Sequence, residues 1–227
     1  MLYIVATPIG NLKDITLRAL KVLKEADLIL CEDTRQTKKL LEHYQIKTPC
    51  LSYHHHSKLN RINYIAELLN QDKSLALVSD AGTPCVSDPG SKLIDLALNQ
   101  IENLKIIPIP GPAALIAAAS ISGFSMERFL FLGFLPRKKH RQKILKEISE
   151  SRYAVIFYES PYRVLKTLEE LKILLSPERR LAVCRELSKK FETIYRGNVS
   201  EIIEKLKNPS AGEKIKGEFA VIIDKID

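Results

Sequence analysis

The chain has 227 residues, of which 45% are hydrophobic and 27% are charged, an ordinary globular composition that excludes a disordered chain. The formal net charge of +8 predicts a positive surface for an anionic partner, unless the surplus cations are spread evenly. No apolar run approaches the roughly 20 residues that span a bilayer, and the N-terminus lacks the basic leader of a signal peptide. We therefore expect a cytoplasmic protein with no membrane partner.

The first half alternates short apolar runs with amphipathic segments, the pattern of a parallel sheet covered by helices on both faces. Thr16 is the predicted N-cap of the first helix and Ser57 that of the third. The predicted elements are strand 2–6, helix 16–26, strand 28–31, helix 34–44, strand 50–53, helix 57–71, strand 75–79, helix 91–99 and strand 104–109.

The pattern changes after the third strand-ending Pro/Gly segment, which predicts two α/β domains, 1–111 and 112–227. Only residues 187–191 separate two later strands, too few for a parallel crossover, so those strands are predicted to pair antiparallel in a mixed sheet. The second-half elements are helix 113–120, strand 129–134, helix 138–149, strand 153–158, helix 162–174, strands 181–186 and 192–196, helix 200–207 and strand 219–223.

Three loops rich in proline and glycine follow predicted parallel strands, at 7–11, 79–84 and 110–114. Ligands of parallel α/β sheets bind beyond the carboxyl ends of the strands, so these loops predict a binding cleft. The first loop has no Gly-x-Gly-x-x-Gly, and no phosphate-binding Gly-x-x-x-x-Gly-Lys-Ser/Thr occurs in the chain. Dinucleotide dehydrogenases, the common Rossmann-type methyltransferases and P-loop kinases are therefore disfavoured.

Metal and redox chemistry are also disfavoured. His54, His55 and His56 are consecutive, so their side chains would point in alternating directions. The four cysteines form no Cys-x-x-Cys pair, which predicts buried or half-buried reduced thiols. We expect a metal-free site.

Two acidic segments at strand ends could serve structure or function. Asp80 follows a strand directly and could cap its turn or orient a ligand. Glu32-Asp33-Thr34-Arg35 ends the second strand, where Asp33 or Thr34 could cap the next helix or the quartet could line a cleft.

The clearest cationic cluster lies in the second half, with no acidic residue before Glu147. Composition alone favours a solvated helix face for such a run, but its position directly after a predicted strand supports a functional role such as contact with RNA phosphates. Arg35 and Lys38 add positive charge at the ligand end of the first half. The predicted RNA-binding residues are Arg35, Lys38, Arg137, Lys138, Lys139 and Arg141.

Eight motifs, in order along the chain, resemble the family of 16S ribosomal RNA cytidine 2′-O-methyltransferases within the tetrapyrrole (precorrin/corrin) methylase superfamily. They are ATPIGNLKD at 6–14, CEDTR at 31–35, SDAGTP at 79–84, PGPA at 110–113, LGFLP at 132–136, YESP at 158–161, REL at 185–187 with FET at 191–193, and GEF at 217–219. Each motif is weak alone, but their joint order is specific.

The resemblance implies a homodimer of two-domain chains, with S-adenosylmethionine folded in the cleft between the domains. It implies that Pro8, Asp80, Thr83, Ala113 and Ala114 hold the methionine part. The adenine would be enclosed by Tyr158, Leu187, Gly217, Glu218 and Phe219.

The implied reaction is methyl transfer to the ribose of a cytidine in the decoding region of 16S rRNA, within the small ribosomal subunit. A tetrapyrrole (precorrin or uroporphyrinogen) methyltransferase and a non-catalytic RNA-binding protein remain alternatives. Glu32, Asp80, Glu159 and Glu186 are candidate polar groups, none singled out as a general base; Asp80 is expected to orient the ligand. Many relatives have an additional small C-terminal domain, whereas this sequence stops at Asp227, so we expect the main body to contact RNA.

Overall fold

The structure is a computed structural model that describes residues 1–54, 59–208 and 215–226. Its contacts divide the chain into two compact units, Met1–Ala113 and Ala114–Asp227, called here the first and second units. Both are α/β, as the residue pattern predicted. Among the described helices, none combines the length and apolar character that a membrane span needs.

The first unit contains a five-stranded, all-parallel sheet of order β3-β2-β4-β1-β5. Thr16 caps the first helix by accepting a hydrogen bond from the Ala19 amide, as predicted, whereas Ser57 lies outside the described residues. The elements are β1 Leu2–Val5, α1 Leu17–Glu25, β2 Leu28–Cys31, α2 Thr34–His43, β3 Cys50–Ser52, α3 Leu59–Asn70, β4 Leu75–Leu77, α4 Ser91–Gln100 and β5 Ile106–Ile109.

Alternate strand residues fill a hydrophobic core on each face of this sheet. Val5 and Ile29 pack with residues of α1 and α2 on one face. Leu2, Leu30 and Leu77 pack with residues of α3 and α4 on the other. Burial on both faces explains why these strands are continuous apolar runs.

The edge strand β5 contains a proline. Pro108 pairs in register with Ile4 of β1, and the carbonyls of Lys105 and Ile109, at odd-numbered positions, accept hydrogen bonds from the amides of Leu2 and Ala6. Backbone groups of successive residues alternate in direction along a strand, so the backbone of Pro108 faces away from β1. Its carbonyl accepts a hydrogen bond from Arg18 at 3.2 Å.

The second unit contains a mixed sheet of order β6-β7-β10-β8-β9. Strands β6 and β7 are parallel, and the remaining pairs are antiparallel, including the β8–β9 pair predicted from its short connection. The elements are α5 Ala114–Ser122, β6 Phe129–Phe134, α6 Arg141–Glu150, β7 Ala154–Glu159, α7 Val164–Leu174, β8 Arg180–Arg185, β9 Thr193–Asn198, α8 Val199–Lys207 and β10 Phe219–Ile223.

Helix α6 begins at Arg141, three residues later than the predicted start at 138. His140 has a left-handed backbone with φ of 63°, which a helix cannot contain. Arg137–His140 therefore form a loop, called here the basic loop, that lies before the helix.

Candidate functional site

The three Pro/Gly loops of the first unit form one cluster, because β1 lies between β4 and β5 in the sheet. Thr7 and Gly82 exchange two backbone hydrogen bonds of 2.9 and 3.0 Å. The Thr7 hydroxyl donates to the Ser79 carbonyl at 3.1 Å, and the Thr83 hydroxyl donates to the Pro112 carbonyl at 3.1 Å. The loops are thus fixed to one another mainly through backbone groups.

Two glycines permit this close arrangement. Gly82 has φ of +85°, which L side chains rarely adopt. A Cβ atom at Gly111 would lie 3.0 Å from the Cβ atom of Ala6, so even a methyl group would crowd the loop that follows β1.

A cavity of about 180 Å³ opens beside this loop cluster. Asp80 and Pro8, two of the predicted cofactor-binding residues, both line it. Partial burial raises the pKa of Asp80, and the nearby Asp33 carboxylate acts in the same direction, whereas the hydrogen bond from the Asp33 amide opposes them. The cavity walls are Thr7, Pro8, Leu12, Gln36, Thr37, Lys39, Leu40, Ser79 and Asp80.

Asp33 links this cavity to the predicted cationic residues of α2. It caps the helix by accepting from the Arg35 amide at 2.8 Å, and its carboxylate pairs with the Arg35 guanidinium at 2.7 Å. These hydrogen bonds lower the pKa of Asp33 to about 2. The Arg35 side chain remains 87% exposed, and Lys38 is also exposed.

Leu187, Gly217 and Glu218 meet at one end of the second sheet, because Phe219 pairs with both Glu159 and Arg185. The Glu186 and Glu218 backbones are joined by a 2.9 Å hydrogen bond, and the Glu186 carboxylate accepts from the Glu218 amide at 2.9 Å.

The same turn carries a lysine between two carboxylates. Lys189 Nζ lies 2.8 Å from Glu186 Oε1 and 2.9 Å from Glu218 Oε2. Burial acts to raise the pKa of Glu186, but the hydrogen bonds from Lys189 and the Glu218 amide lower it overall. Gly217 has φ of +92°, and a Cβ atom there would lie 2.3 Å from the Glu186 side chain. A larger residue at this position would therefore strain the backbone and displace the Glu186 side chain from its contacts.

Tyr158 holds the start of α5. Its hydroxyl accepts a 2.9 Å hydrogen bond from the Leu115 amide, and its ring contacts Phe131 and Phe134 edge-on or tilted. Ala113 ends the first unit and Ala114 begins α5, and both residues are half-buried.

The basic loop presents Arg137, Lys138 and Lys139 as exposed side chains, but Arg141 differs from the prediction. Its side chain is 8% exposed and pairs with Glu170, and it also donates to the Pro136 carbonyl at 3.0 Å. A guanidinium enclosed in this way has little surface for a phosphate, so we assign Arg141 a structural role.

A buried polar network behind the basic loop was missed by sequence reasoning. Glu159, named only as a candidate polar group, is 0% exposed and pairs with Arg163 at 2.6 Å. Its second carboxylate oxygen accepts from Thr167 at 2.8 Å, and Glu170 pairs with Arg141. The spacing of four residues from Glu159 to Arg163 was the one feature of the sequence that could have indicated this network.

Among the described residues, no three histidine, cysteine or acidic side chains are grouped as metal ligands. His54 is exposed, and His55 and His56 lie outside the described residues. All four cysteines are free, with Cys31 and Cys184 buried and Cys50 and Cys85 half-buried.

The two five-stranded α/β units define a methyltransferase fold. The chain superposes on a cobalt precorrin-4 methyltransferase with a TM-score of 0.70 and 17% identity, covering 99% of this chain and 94% of that one. It superposes on the uroporphyrin-III C-methyltransferase of Thermus thermophilus with a TM-score of 0.63 and 19% identity, covering 97% and 93%.

The sequence profile of the tetrapyrrole (corrin/porphyrin) methylases matches residues 1–203, and the chain belongs to this family. Two relatives are named ribosomal RNA small subunit methyltransferase I. The protein from Halalkalibacterium halodurans is 46% identical over 224 residues, 98% of this chain and 75% of the relative. That from Thermotoga maritima is 43% identical over 222 residues, 98% of this chain and 97% of the relative. The predicted fold and the predicted cofactor, S-adenosylmethionine, are thereby confirmed.

The first-unit cavity suits part of this cofactor. Its carboxylate at Asp80 and hydroxyl at Thr7 complement a cationic amino or sulfonium group, and its Pro8 and Leu40 walls suit a methylene chain. The volume is below the roughly 300 Å³ at which pockets enclose a whole drug-sized ligand. The cavity is therefore large enough for only part of the cofactor molecule.

Proposed function

We propose that this methyltransferase transfers a methyl group to the 2′-hydroxyl of a cytidine in the decoding region of 16S rRNA. The observation that carries the proposal is the exposed basic loop of the second unit, where Arg137, Lys138 and Lys139 project without an acidic neighbour in the loop. Identity of 42–46% with proteins named ribosomal RNA small subunit methyltransferase I supports an RNA substrate.

Positioning can supply most of the catalysis in such a reaction. The bound cofactor provides a methyl group activated by its sulfonium. Aligning a ribose hydroxyl with a reacting carbon contributes about 7–11 kcal/mol in favourable cases. The loop cluster around Thr7, Gly82 and Thr83 is fixed by backbone hydrogen bonds, which suits it to hold the cofactor in one geometry.

The carboxylates differ in their freedom to touch a ligand. Glu159 is buried with Arg163 and Thr167, and Glu186 is paired with Lys189. Asp80 borders the cavity, and we propose that it orients the cofactor rather than removing a proton. The proposed cofactor-binding residues are Pro8, Asp80, Thr83, Ala113, Ala114, Tyr158, Leu187, Gly217 and Glu218.

Calorimetry with S-adenosylmethionine tests the role of Asp80. Asp80→Asn removes the carboxylate charge, and we expect about 10- to 150-fold weaker binding, the equivalent of one charge-assisted hydrogen bond. Asp72→Asn changes an exposed aspartate in a turn and serves as the matched control. Unchanged affinity in a folded Asp80→Asn protein would contradict the assignment, and loss of binding on adding a chelator would contradict a metal-free site.

The RNA proposal is tested with small ribosomal subunits from a strain that lacks this protein. A 2′-O-methyl group blocks alkaline cleavage at the modified nucleotide, whereas a base methyl group does not. We expect one protected cytidine in 16S rRNA and very little reaction with free cytidine, because extruding a nucleotide costs a few kcal/mol that an extended RNA contact can offset. Methylation of a porphyrinogen with none of RNA would favour the tetrapyrrole alternative instead.

Phosphate contact is tested by neutralising Arg137, Lys138 and Lys139 together with glutamine. Each lost contact should reduce the slope of log affinity against log salt by about 0.7 to 0.9. Lys13, Lys21 and Lys24, which are exposed in the first unit, provide a control with the same loss of charge. An unaltered salt slope in the basic-loop variant would make this loop a solvated surface.

We also propose a second copy of the chain as a partner. The second unit exposes more than half of Ile116, Phe134 and Phe191, large apolar side chains of the kind found at interfaces. Light scattering that gives a monomer mass at micromolar concentration would reject the homodimer.

A further inference from the structure

Two arginines hold the backbone that enters the basic loop. Arg163 Nη1 donates to the Leu135 carbonyl at 2.9 Å, and Arg141 Nη1 donates to the Pro136 carbonyl at 3.0 Å. These consecutive carbonyls directly precede Arg137. The chain is thereby fixed at two adjacent points just before its exposed cations begin.

Each guanidinium is held in turn by a carboxylate. Arg163 pairs with Glu159 at 2.6 Å, and Arg141 Nε donates to Glu170 Oε2 at 2.9 Å. The Glu159 side chain is 0% exposed and that of Arg141 is 8% exposed. Buried ion pairs add little net stability, since desolvation offsets their attraction, but they restrict geometry strongly when their hydrogen bonds are satisfied.

Thr167 joins the two ion pairs into one network. Its hydroxyl accepts from Arg141 Nη2 at 2.9 Å and lies 2.8 Å from Glu159 Oε2. A guanidinium can only donate and a carboxylate can only accept, so the single hydroxyl proton points to Glu159. The position of one arginine therefore depends on the other through this hydroxyl.

At its far end the basic loop is held by backbone hydrogen bonds, from the Arg141 amide to the Lys138 carbonyl at 3.2 Å and from the Ile144 amide to the His140 carbonyl at 3.1 Å. His140, which precedes α6, has a left-handed backbone and makes no side-chain hydrogen bond that would cap the helix. The carbonyl contacts made by Arg141 and Arg163 therefore fix the start of the loop, just before the exposed cations.

We propose that Glu159, Arg163, Thr167, Arg141 and Glu170 form a positioning network that orders the basic loop so that its three cations contact RNA phosphates together. The proposal rests on the proposed RNA substrate. In this proposal the five residues influence RNA binding without touching the RNA. They take no part in cofactor binding.

The test compares three variants of α7. Thr167→Val removes the bridging hydroxyl and Thr167→Ser retains it. Glu169→Gln breaks only the half-exposed pair that Glu169, also on α7, makes with Lys207 of α8. For Thr167→Val we expect faster hydrogen exchange of the Arg141 amide, which closes the basic loop on the Lys138 carbonyl, and a KM for small-subunit RNA raised about tenfold, with kcat and the Kd for S-adenosylmethionine unchanged. Thr167→Ser and Glu169→Gln should match the wild-type protein in all four measurements.

Two results would overturn the network. One is a folded Thr167→Val protein with wild-type exchange at the basic loop and a wild-type KM. The other is an equal rise of KM in Thr167→Ser, which would assign the effect to packing rather than to the hydroxyl. A wild-type protein that binds no RNA would instead reject the proposed function, while hydrogen exchange would still show whether the network orders the loop.

Discussion

The two units fix their strand-end loops by different means. In the first unit, Thr7, Gly82 and Thr83 join the loops through hydrogen bonds to backbone carbonyls and amides. In the second unit, ion pairs supplement the backbone hydrogen bond between Glu186 and Glu218: Glu159 pairs with Arg163, and Lys189 pairs with Glu186 and Glu218.

This difference determines which substitutions each unit can tolerate. Backbone hydrogen bonds do not titrate and are insensitive to most side-chain substitutions, but they require glycine where the chain bends sharply. Side-chain ion pairs do not restrict the backbone in that way, but they fail when one partner is lost. We therefore expect the second unit to be more sensitive to single polar substitutions than the first.

The largest effect is expected for Glu159→Ala. It leaves the Arg163 guanidinium and the Thr167 hydroxyl without their buried partner, and breaking a buried pair costs about 3–5 kcal/mol of unfolding free energy. Chemical denaturation measures the loss. Glu169→Ala, which breaks a half-exposed pair on α7, should cost about 1 kcal/mol or less. Equal losses would show that burial does not distinguish these pairs.

A smaller effect is expected for glycine substitutions, and it should be greater at Gly217 than at Gly82. Both have positive φ, which costs alanine about 1–3 kcal/mol. At Gly217 the new Cβ atom would also lie 2.3 Å from Glu186, whereas at Gly82 the nearest atom is 3.4 Å away. Unfolding free energies of the two alanine variants test the order, and a greater loss at Gly82 would contradict it.

Thr83→Val should cost about 0.5–1.5 kcal/mol, the net value of one hydrogen bond. Its hydroxyl donates to the Pro112 carbonyl, and valine has a similar shape without the donor. Thr83→Ser keeps the hydroxyl and should retain most of the stability. If serine and valine are equally destabilising, methyl packing rather than the hydrogen bond holds this loop.

The smallest effect is a difference in pH dependence between the units. The pKa of Glu186 is lowered from 4.5, so its stabilisation is present above about pH 4.5 and is lost as the pH falls through its folded-state pKa. The pKa of Asp80 is raised from 3.8, so its contribution is favourable at low pH and is lost as the pH rises through its folded-state pKa.

The stability of Glu186→Gln and Asp80→Asn relative to wild type, measured by denaturation from about pH 7 to about pH 3, tests these signs. The stability advantage of wild type over Glu186→Gln should shrink on acidification. The stability of Asp80→Asn relative to the wild-type protein should increase as the pH rises. Slopes of the same sign in both comparisons would contradict the assigned environments.

The fold could be predicted because its signals are local. Alternating apolar runs indicated the strands, and the short predicted connection at 187–191 required the antiparallel pairing that β8 and β9 have. The three Pro/Gly loops were recognised as one cluster from a general property of parallel sheets. The start of α6 was wrong by three residues because helix propensity does not show that His140 adopts a left-handed backbone.

Arg141 shows why the site could be predicted only in part. In the sequence it is one of several adjacent cations, and nothing local distinguishes it from Lys139. The structure separates them, because the first residue of α6 points to Glu170 and Thr167, which lie 29 and 26 residues further along the chain. Such pairs depend on how two helices pack, which residue spacing alone does not determine.

The proline in β5 has a consequence for the behaviour of the chain at high concentration. An open sheet edge offers unpaired amides and carbonyls to the edge strand of another molecule, a common route to aggregation. At Pro108 the outward position has no amide hydrogen, and Arg18 already occupies the outward carbonyl. The first sheet therefore ends at β5, and intermolecular strand addition at that edge is disfavoured at Pro108 in the folded protein.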